Sequence, residues 1–316
     1  MNVRVGLDIG GTKTAALVAD GTGPLVEVTR PTDVASPARL VAGIVATVRQ
    51  ALGQLEPGRQ LLAVGAGVPG LIDPAGGTVR MAVNLNLVEP YPLRDALEQA
   101  LGVPVALEND VRVAALGAFH WARSRSDIGS LAYLSIGTGI AAGLVLDGKL
   151  YRGAQGMAGE IGHIPIDSAG PRCGCGQYGC LEAIAAGPAI AAFAATAMPE
   201  RRPSTAEVFA LAAAGQPDAG RVVARAAGYL SRAVYLLLMT YDVEQVALGG
   251  GVTRAGAAFE QPLRRAMADL RANSPLTATM MPDDKVVIIP SDYNAGARGA
   301  VFLAPAPLPA DRQGGR

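Results

Sequence analysis

The sequence predicts a duplicated α/β fold, in which two similar halves enclose a cleft. Residues 3–9 alternate in the manner of a strand, run into a turn of sequence G-G-T-K-T, and continue into a second strand-like segment that ends at Gly21. The same design recurs at residues 133–148, and the two segments align without a gap, with Ile9 on Ile136. Such internal similarity is typical of duplicated units. Because the matched segment is short, a chance likeness between two glycine-rich hairpins is the alternative.

The rest of the chain alternates between helical and strand-like segments, as an α/β fold requires. Helices are predicted near 36–55, 92–101, 110–122, 181–195, 205–214, 217–240 and 258–272, and strands near 62–68, 104–108, 245–248 and 285–289. We predict a smaller N-terminal lobe at 1–118, joined by a C-terminal helix at 294–305, and a larger lobe at 119–293. The Pro- and Gly-rich residues 306–316 are predicted to form a flexible tail.

The composition argues against several classes of partner. Half of the 316 residues are hydrophobic and only 17% are charged, which favours a folded core over disorder. The formal net charge is zero and aromatic residues make up 4%, so we expect neither a nucleic-acid partner nor a stacking platform for single strands. No leader pattern and no charge-free apolar span of about 20 residues is visible, so we expect a cytoplasmic protein without a membrane partner.

All three cysteines lie in one short motif, C-G-C-G-Q-Y-G-C, as Cys173, Cys175 and Cys180. The interspersed glycines allow the backbone to turn tightly and bring the thiolates together. His163, one of only two histidines, lies ten residues upstream in G-E-I-G-H. Three thiolates and one imidazole form the closed tetrahedral set of a structural Zn²⁺ site. The alternative is a set of three buried free cysteines.

Three glycine-rich turns can cradle phosphate groups with their backbone N–H groups. They are Gly10-Gly11-Thr12, Gly137-Thr138-Gly139 and Gly249-Gly250-Gly251. Two of them occupy equivalent places in the predicted repeat, which favours a nucleotide in the cleft. Asp8 precedes the first turn and is a candidate partner for Mg²⁺-bound water, the alternative being an aspartate that caps the turn.

Carboxylates beside these motifs indicate a polyhydroxylated ligand. E-N-D at 108–110 follows a strand and precedes a helix, so Asp110 is either a general base for a hydroxyl acceptor or a helix cap. Glu160, His163 and Glu182 flank the predicted zinc site, which would fix the loops that carry them. Paired donors and acceptors of this kind favour a sugar-like substrate.

With these motifs identified, the chain resembles the ROK family (repressor, open reading frame, kinase) of bacterial sugar kinases and repressors. Within the family it is similar to the actinobacterial-type glucokinases, over about residues 3–305. The motifs that carry the resemblance are D-I-G-G-T-K-T (8–14), E-N-D (108–110), the run at 137–163, C-G-C-G-Q-Y-G-C-L-E (173–182) and the adenosine-side L-G-G-G-V (248–252).

The resemblance implies an actin-like (ribonuclease H-like) two-lobed fold, a homodimer or homotetramer, and phosphorylation of a hexose 6-hydroxyl by ATP with Mg²⁺. Asp110 would be the general base, and His163 would place one ring nitrogen on zinc and the other toward the sugar. The implied sugar-binding residues are Gly70, Asn84, Asn109, Asp110, Glu160, His163 and Glu182. The implied ATP-binding residues are Asp8, Gly10, Gly11, Thr12, Lys13, Gly137, Thr138, Gly139, Gly249 and Gly250. The implied zinc ligands are His163, Cys173, Cys175 and Cys180.

Departures from the family's usual motifs leave more than one sugar substrate in question. Arg112 stands where many relatives have Asn, and Ala141 and Ala142 stand where Gly is usual. We predict a glucokinase, or alternatively an amino-sugar kinase acting on N-acetylglucosamine, N-acetylmannosamine or 3-amino-3-deoxyglucose, with polyphosphate as the alternative donor. A sugar-sensing regulator is a further alternative, although we expect no DNA-binding module ahead of the first hairpin. A descendant that binds sugar without catalysis is the third.

Overall fold

The computed structural model describes residues 2–305, so the predicted flexible tail at 306–316 lies outside the described residues. The chain divides into two compact units. Unit 1 runs to Trp121 and resumes at Asn294, whereas unit 2 is Ala122–Tyr293.

Both units contain strands and helices. The strands are β1 (Asn2–Ile9), β2 (Lys13–Asp20), β3 (Gly23–Pro31), β4 (Gln60–Val68), β5 (Leu71–Asp73), β6 (Thr78–Met81), β7 (Val105–Asn109), β8 (Leu131–Ile136), β9 (Ile140–Leu146), β10 (Lys149–Tyr151), β11 (Gln245–Gly249) and β12 (Val286–Ile288). The α-helices are α1 (Pro37–Leu52), α2 (Leu93–Leu101), α3 (Asp110–Arg123), α4 (Leu181–Ala185), α5 (Gly187–Ala197), α6 (Thr205–Ala213), α7 (Pro217–Tyr241), α8 (Ala257–Ala272), α9 (Pro275–Met280) and α10 (Ala295–Leu303).

Unit 1 is built on a five-stranded sheet of order β3-β2-β1-β4-β7. β2 pairs antiparallel with β1 and β3, whereas β4 pairs parallel with β1 and β7. The central strands β1 and β4 are apolar on both faces, because helices cover the sheet on either side. The carboxyl ends of β1 and β7 carry the first glycine turn and the E-N-D motif, so the parallel pairing through β4 brings both motifs to one edge of the sheet.

Unit 2 repeats this arrangement. Its sheet has the order β10-β9-β8-β11-β12, and β9 pairs antiparallel with β8 and β10, whereas β11 pairs parallel with β8 and β12. Both hairpins at 3–21 and 133–148 therefore open a sheet of the same strand order and the same strand directions. This shared topology confirms the duplication predicted from the sequence.

The long helix α7 is the core helix of unit 2. Val223, Leu230, Val234 and Leu238 are buried along one side of it, in the unit's hydrophobic core. Among the described residues it is the one helix with the length and apolar composition of a membrane span, and half of the window that meets this test is buried inside the protein. The core packing accounts for its apolar character.

The structure differs from the predicted elements at the edges of the sheets and at one helix. The helix predicted at 181–195 is two helices, α4 and α5, because Ala186 is extended and Pro188 starts a new helix in the first turn of α5. The strands β3, β5, β6 and β10 and the short helix α9 were not predicted. β3 and β10 lie at sheet edges and are largely exposed, so neither carries the strong apolar pattern of a central strand.

Candidate active site

The first glycine turn of unit 1 links β1 to β2 and is closed by its own backbone. The Gly10 N–H donates to the carbonyl oxygen of Lys13 at 2.9 Å. The side chains of Thr12 and Lys13 are exposed beside the turn, where a hydroxyl and an ammonium group can both meet an anion. A Cβ atom on Gly11 would lie 2.6 Å from the carbonyl oxygen of Asn84, so only glycine fits there. The predicted phosphate turn is thus packed directly against the predicted sugar-binding Asn84.

Asp8 lies just before this turn, in an environment that disfavours its charge. Burial, and next the negative charge of Asp110, raise the pKa of Asp8 from 3.8 to about 6, although Lys13 opposes the shift. Asp8 also faces the start of α10, where a Cβ atom on Gly296 would lie 2.8 Å from its Cγ. Two neighbouring carboxylates are a hard-oxygen donor set of the kind that suits Mg²⁺. The donor chemistry at Asp8 therefore fits the predicted magnesium role.

The E-N-D motif spans the junction between β7 and α3. The Asn109 Oδ1 accepts hydrogen bonds from the backbone N–H groups of Val111 at 3.0 Å and Arg112 at 3.3 Å, so Asn109 caps the helix. Its Nδ2 donates to the carbonyl oxygen of Gly70 at 3.2 Å, which joins two predicted sugar-binding residues. Asp110 is the first helical residue, and its Oδ1 accepts a bond from the Val111 N–H at 2.9 Å. The positive end of the helix dipole stabilises a carboxylate at that position.

Two buried charges hold this junction. Glu108 is fully buried and Arg112 is 5% exposed. The Arg112 Nη1 lies 3.2 Å from the Glu108 Oε1, which also accepts the Asn109 N–H at 2.9 Å. The residue that departs from the family pattern is therefore packed into unit 1, where it braces the segment that carries Asn109 and Asp110.

The second glycine turn links β8 to β9 in unit 2. The Gly137 N–H donates to the carbonyl oxygen of Gly139 at 2.9 Å, which closes the turn. The Ile140 N–H, directly after it, donates to Glu182 Oε2 at 2.9 Å. Glu182 belongs to α4, two residues after Cys180, so one predicted sugar-binding residue contacts a predicted phosphate turn.

A largely apolar cavity of about 850 Å³ adjoins this turn within unit 2. Its lining includes Gly137, Thr138, Gly187, Thr205, Phe209, Gly251, Val252 and Arg254. Gly251 and the residues after it line the cavity, whereas Gly249 packs tightly against the Tyr133 ring behind β11. A volume of this size accepts a nucleoside. The residues of α5 and α6 that line this cavity are not among the predicted ATP-binding residues. The G-P pair at the start of α5 was the available signal for the α5 contribution.

The predicted zinc ligands form one cluster in unit 2. The ligand atoms of His163, Cys173, Cys175 and Cys180 all lie within 4.8 Å of one another. The Sγ atoms of Cys175 and Cys180 are 3.7 Å apart, and Cys173 Sγ lies 3.6 Å from His163 Nδ1. A tetrahedral ion with Zn–S distances of about 2.3 Å places neighbouring sulfurs roughly 3.8 Å apart, so the spacing fits zinc. Burial, and next the neighbouring thiols, raise the pKa of Cys180 to about 12, so a bound cation would be needed to hold it as a thiolate.

Glu160 and His163 share one short segment. Glu160 precedes a 3₁₀ helix at Ile161–His163, and both side chains are exposed. The Ala142 N–H of β9 donates to the carbonyl oxygen of Gly159 at 2.7 Å, which fixes the segment to the sheet. Because His163 turns Nδ1 toward Cys173, its Nε2 is the ring nitrogen left for a second partner.

Each unit thus holds part of the predicted sugar-binding set and part of the predicted ATP-binding set. Unit 1 holds Gly70, Asn84, Asn109 and Asp110 of the sugar set and Asp8, Gly10, Gly11, Thr12 and Lys13 of the ATP set. Unit 2 holds Glu160, His163 and Glu182 of the sugar set, the zinc ligands, and Gly137, Thr138, Gly139, Gly249 and Gly250 of the ATP set. The convergence of both sets on one cleft stays a prediction.

Comparison with known proteins places the chain in a family. The model of the ROK family matches residues 4–306, and the chain belongs to the ROK family. It is 32% identical to a glucokinase of Halalkalibacterium halodurans, covering 83% of this chain and 84% of that protein. It is also 32% identical to an N-acetylmannosamine kinase of Vibrio cholerae serotype O1, covering 81% and 86%.

A solved structure agrees in fold. The ROK family glucokinase of Streptomyces griseus, crystallised with glucose and AMPPNP, has a TM-score of 0.77 and 29% sequence identity, covering 96% of this chain and 99% of that one. The match confirms the predicted actin-like α/β fold class, and the family match confirms the predicted resemblance.

Proposed function

We propose that the protein is an ATP-dependent hexose kinase that phosphorylates the 6-hydroxyl of glucose or of a closely related amino sugar. The sugar-kinase class follows from the ROK glucokinase and N-acetylmannosamine kinase relatives and from the kinase fold. The observation that carries the mechanism is the placement of Asp110 at the start of α3, beside Asp8 and the Gly10–Lys13 turn. A candidate base and a candidate phosphate anchor thus share one edge of the unit 1 sheet.

Asp110 acts as the general base. Its carboxylate takes the proton of the sugar 6-hydroxyl while that oxygen forms a bond to the γ-phosphorus of ATP, and the bond from the γ-phosphorus to the bridging oxygen of ADP breaks. The positive end of the α3 dipole lies beside this carboxylate. Asn109, fixed by its bonds to α3 and Gly70, orients the sugar beside it.

The ATP phosphates lie on the two glycine turns. Backbone N–H groups and the hydroxyls of Thr12 and Thr138 donate to phosphate oxygens, and Lys13 adds a positive charge. The cavity beside Thr138 holds the nucleoside. Asp8 would hold Mg²⁺, which when bound neutralises charge on the β- and γ-phosphates.

The zinc cluster orders the surrounding loops and takes no part in phosphate transfer. His163, Cys173, Cys175 and Cys180 would hold Zn²⁺, which has no open position for chemistry once four protein ligands are in place. Its role is to order the loops that present Glu160, His163 and Glu182 to the sugar hydroxyls. Asn84 completes the sugar side from unit 1. We place the enzyme in the cytoplasm as a homodimer or homotetramer without a nucleic-acid partner.

An amino-sugar kinase is the second candidate. The N-acetylmannosamine kinase of Vibrio cholerae is as similar in sequence as the glucokinase of Halalkalibacterium halodurans, at 32% identity each.

A sugar panel tests the proposal. Steady-state rates of ADP release are measured with ATP and glucose, mannose, N-acetylglucosamine, N-acetylmannosamine or 3-amino-3-deoxyglucose. We expect at least one sugar to give turnover, with the highest kcat/KM for glucose. A highest value for an N-acetylated sugar would replace glucokinase by the second candidate. Sugar binding without ADP release from any of the five would refute a kinase.

A further inference from the structure

We infer that Glu182 is a positioning residue for the phosphate turn of unit 2, in addition to its proposed contact with the sugar. One carboxylate would then serve both substrates. The inference deepens the proposed function and rests on it for the sugar side. Its nucleotide side rests on the contact between Glu182 and the turn.

The contact is close and directional. The Ile140 N–H, at the start of β9, donates to Glu182 Oε2 at 2.9 Å. A Cβ atom on Gly139 would lie 2.5 Å from the same oxygen, so Oε2 is seated against the turn and not merely near it. A hydrogen bond to an ionised carboxylate is about twice as strong as a neutral one.

The bond determines which donors the turn can offer to a phosphate. The Gly137 N–H closes the turn on the carbonyl oxygen of Gly139, and the Ile140 N–H is taken by Glu182. The Thr138 and Gly139 N–H groups and the Thr138 hydroxyl are the donors that remain for phosphate. Because glycines on either side of Thr138 leave the backbone free to rotate, an anchor at Ile140 fixes the direction of these donors.

Glu182 is itself held in place by the segments that carry the predicted zinc ligands. Glu182 lies in the first turn of α4, two residues after Cys180. The Leu181 N–H donates to the carbonyl oxygen of Ile164 at 3.1 Å, next to His163. The segment that orders the zinc ligands therefore also orders Glu182, and Oε1 is the carboxylate oxygen left for a sugar hydroxyl.

Three variants separate this role from a purely sugar-binding one. Glu182→Ala removes the acceptor. Glu182→Gln keeps a carbonyl oxygen that can accept the Ile140 N–H and replaces the other carboxylate oxygen by an NH₂ group. Glu160→Ala is the matched control, because Glu160 is a proposed sugar carboxylate beside the same zinc cluster. The readouts are the Kd for magnesium-AMPPNP measured calorimetrically without sugar, the KM values for ATP and glucose, and the zinc content of each variant.

We expect Glu182→Ala to weaken AMPPNP roughly tenfold, the value typical for loss of one hydrogen bond to a charged group. Its KM values for ATP and glucose should both rise. Glu182→Gln should bind AMPPNP within about threefold of wild type. Glu160→Ala should raise only the KM for glucose.

The positioning role is refuted if Glu182→Ala, with full zinc content, binds AMPPNP as wild type does. Equal losses of AMPPNP affinity in Glu182→Gln and Glu182→Ala would also refute it. So would a loss of AMPPNP affinity that occurs only when the variant has also lost zinc. If no sugar in the panel is phosphorylated but Glu182→Ala still weakens AMPPNP, the proposed function fails and the positioning role stands.

Discussion

Removal of the buried charge of Arg112 is expected to destabilise unit 1 strongly. The guanidinium is 5% exposed, and its Nη1 lies 3.2 Å from the Oε1 of the fully buried Glu108. Arg112→Met leaves the Glu108 carboxylate buried without the guanidinium that it faces. Loss of one partner from a buried pair costs about 3–5 kcal/mol in the free energy of unfolding. The double variant Glu108→Gln/Arg112→Met removes both charges and should recover most of that loss.

The lone tryptophan provides the assay. Trp121 lies on α3, the helix that carries Arg112, so its fluorescence during urea titration reports the unfolding of this part of unit 1. Arg39→Met is the control, because the pair that Arg39 forms with Asp33 is exposed to solvent and should contribute little. A fall in the urea midpoint of Arg112→Met no larger than that of Arg39→Met would show that the buried pair contributes little to stability. A double variant whose loss in free energy of unfolding equals the sum of the losses in the two single variants would show that the two charges do not interact.

Three further outcomes are expected. Metal analysis should find one zinc per chain, and Cys180→Ser should lose it together with glucose affinity; a zinc-free wild type that phosphorylates sugar would contradict this. Asp8 has a raised pKa of about 6, so its ionisation destabilises the folded protein as the pH rises from 3.8 to above 6. Asp8→Asn should therefore have a higher urea midpoint than wild type at pH 8 but the same midpoint below pH 4. A difference in urea midpoint that does not change with pH would argue against a raised pKa of Asp8. Gly296→Ala should raise the KM for ATP, because the new Cβ atom would lie 2.8 Å from Asp8 Cγ and displace that carboxylate. An unchanged KM would show that the position of Asp8 does not affect ATP binding.

Much of the fold could be predicted because the buried elements carry strong local patterns. The hairpins at β1–β2 and β8–β9 are apolar and interrupted only by glycine turns, so the repeat is visible in the sequence. The edge strands β3 and β10 are largely exposed and depend on pairing with β2 and β9, which no local pattern reveals. The break between α4 and α5 could have been predicted from the G-P pair.

The candidate site shows the same division between local and distant contacts. The helix-start position of Asp110 and the spacing of the cysteines could be predicted, because strand ends and short loops place neighbouring residues together. The bond from Ile140 to Glu182 joins residues 42 positions apart, and only the packing of α4 against β9 brings them together. The burial of Arg112 could not be predicted either, since an arginine in the first turn of a helix is usually solvated.

The rate of ADP release by Asp110→Asn with glucose and ATP, measured beside its affinity for glucose, tests the general-base role of Asp110 most directly. Amide oxygen cannot take the hydroxyl proton, whereas the shape and hydrogen-bonding capacity of the side chain are nearly kept. We predict a fall in kcat of about 10²–10⁴-fold, with glucose binding within a few-fold of wild type. A variant that keeps most of its turnover would show that another group removes the proton, and the mechanism proposed for this enzyme would be wrong.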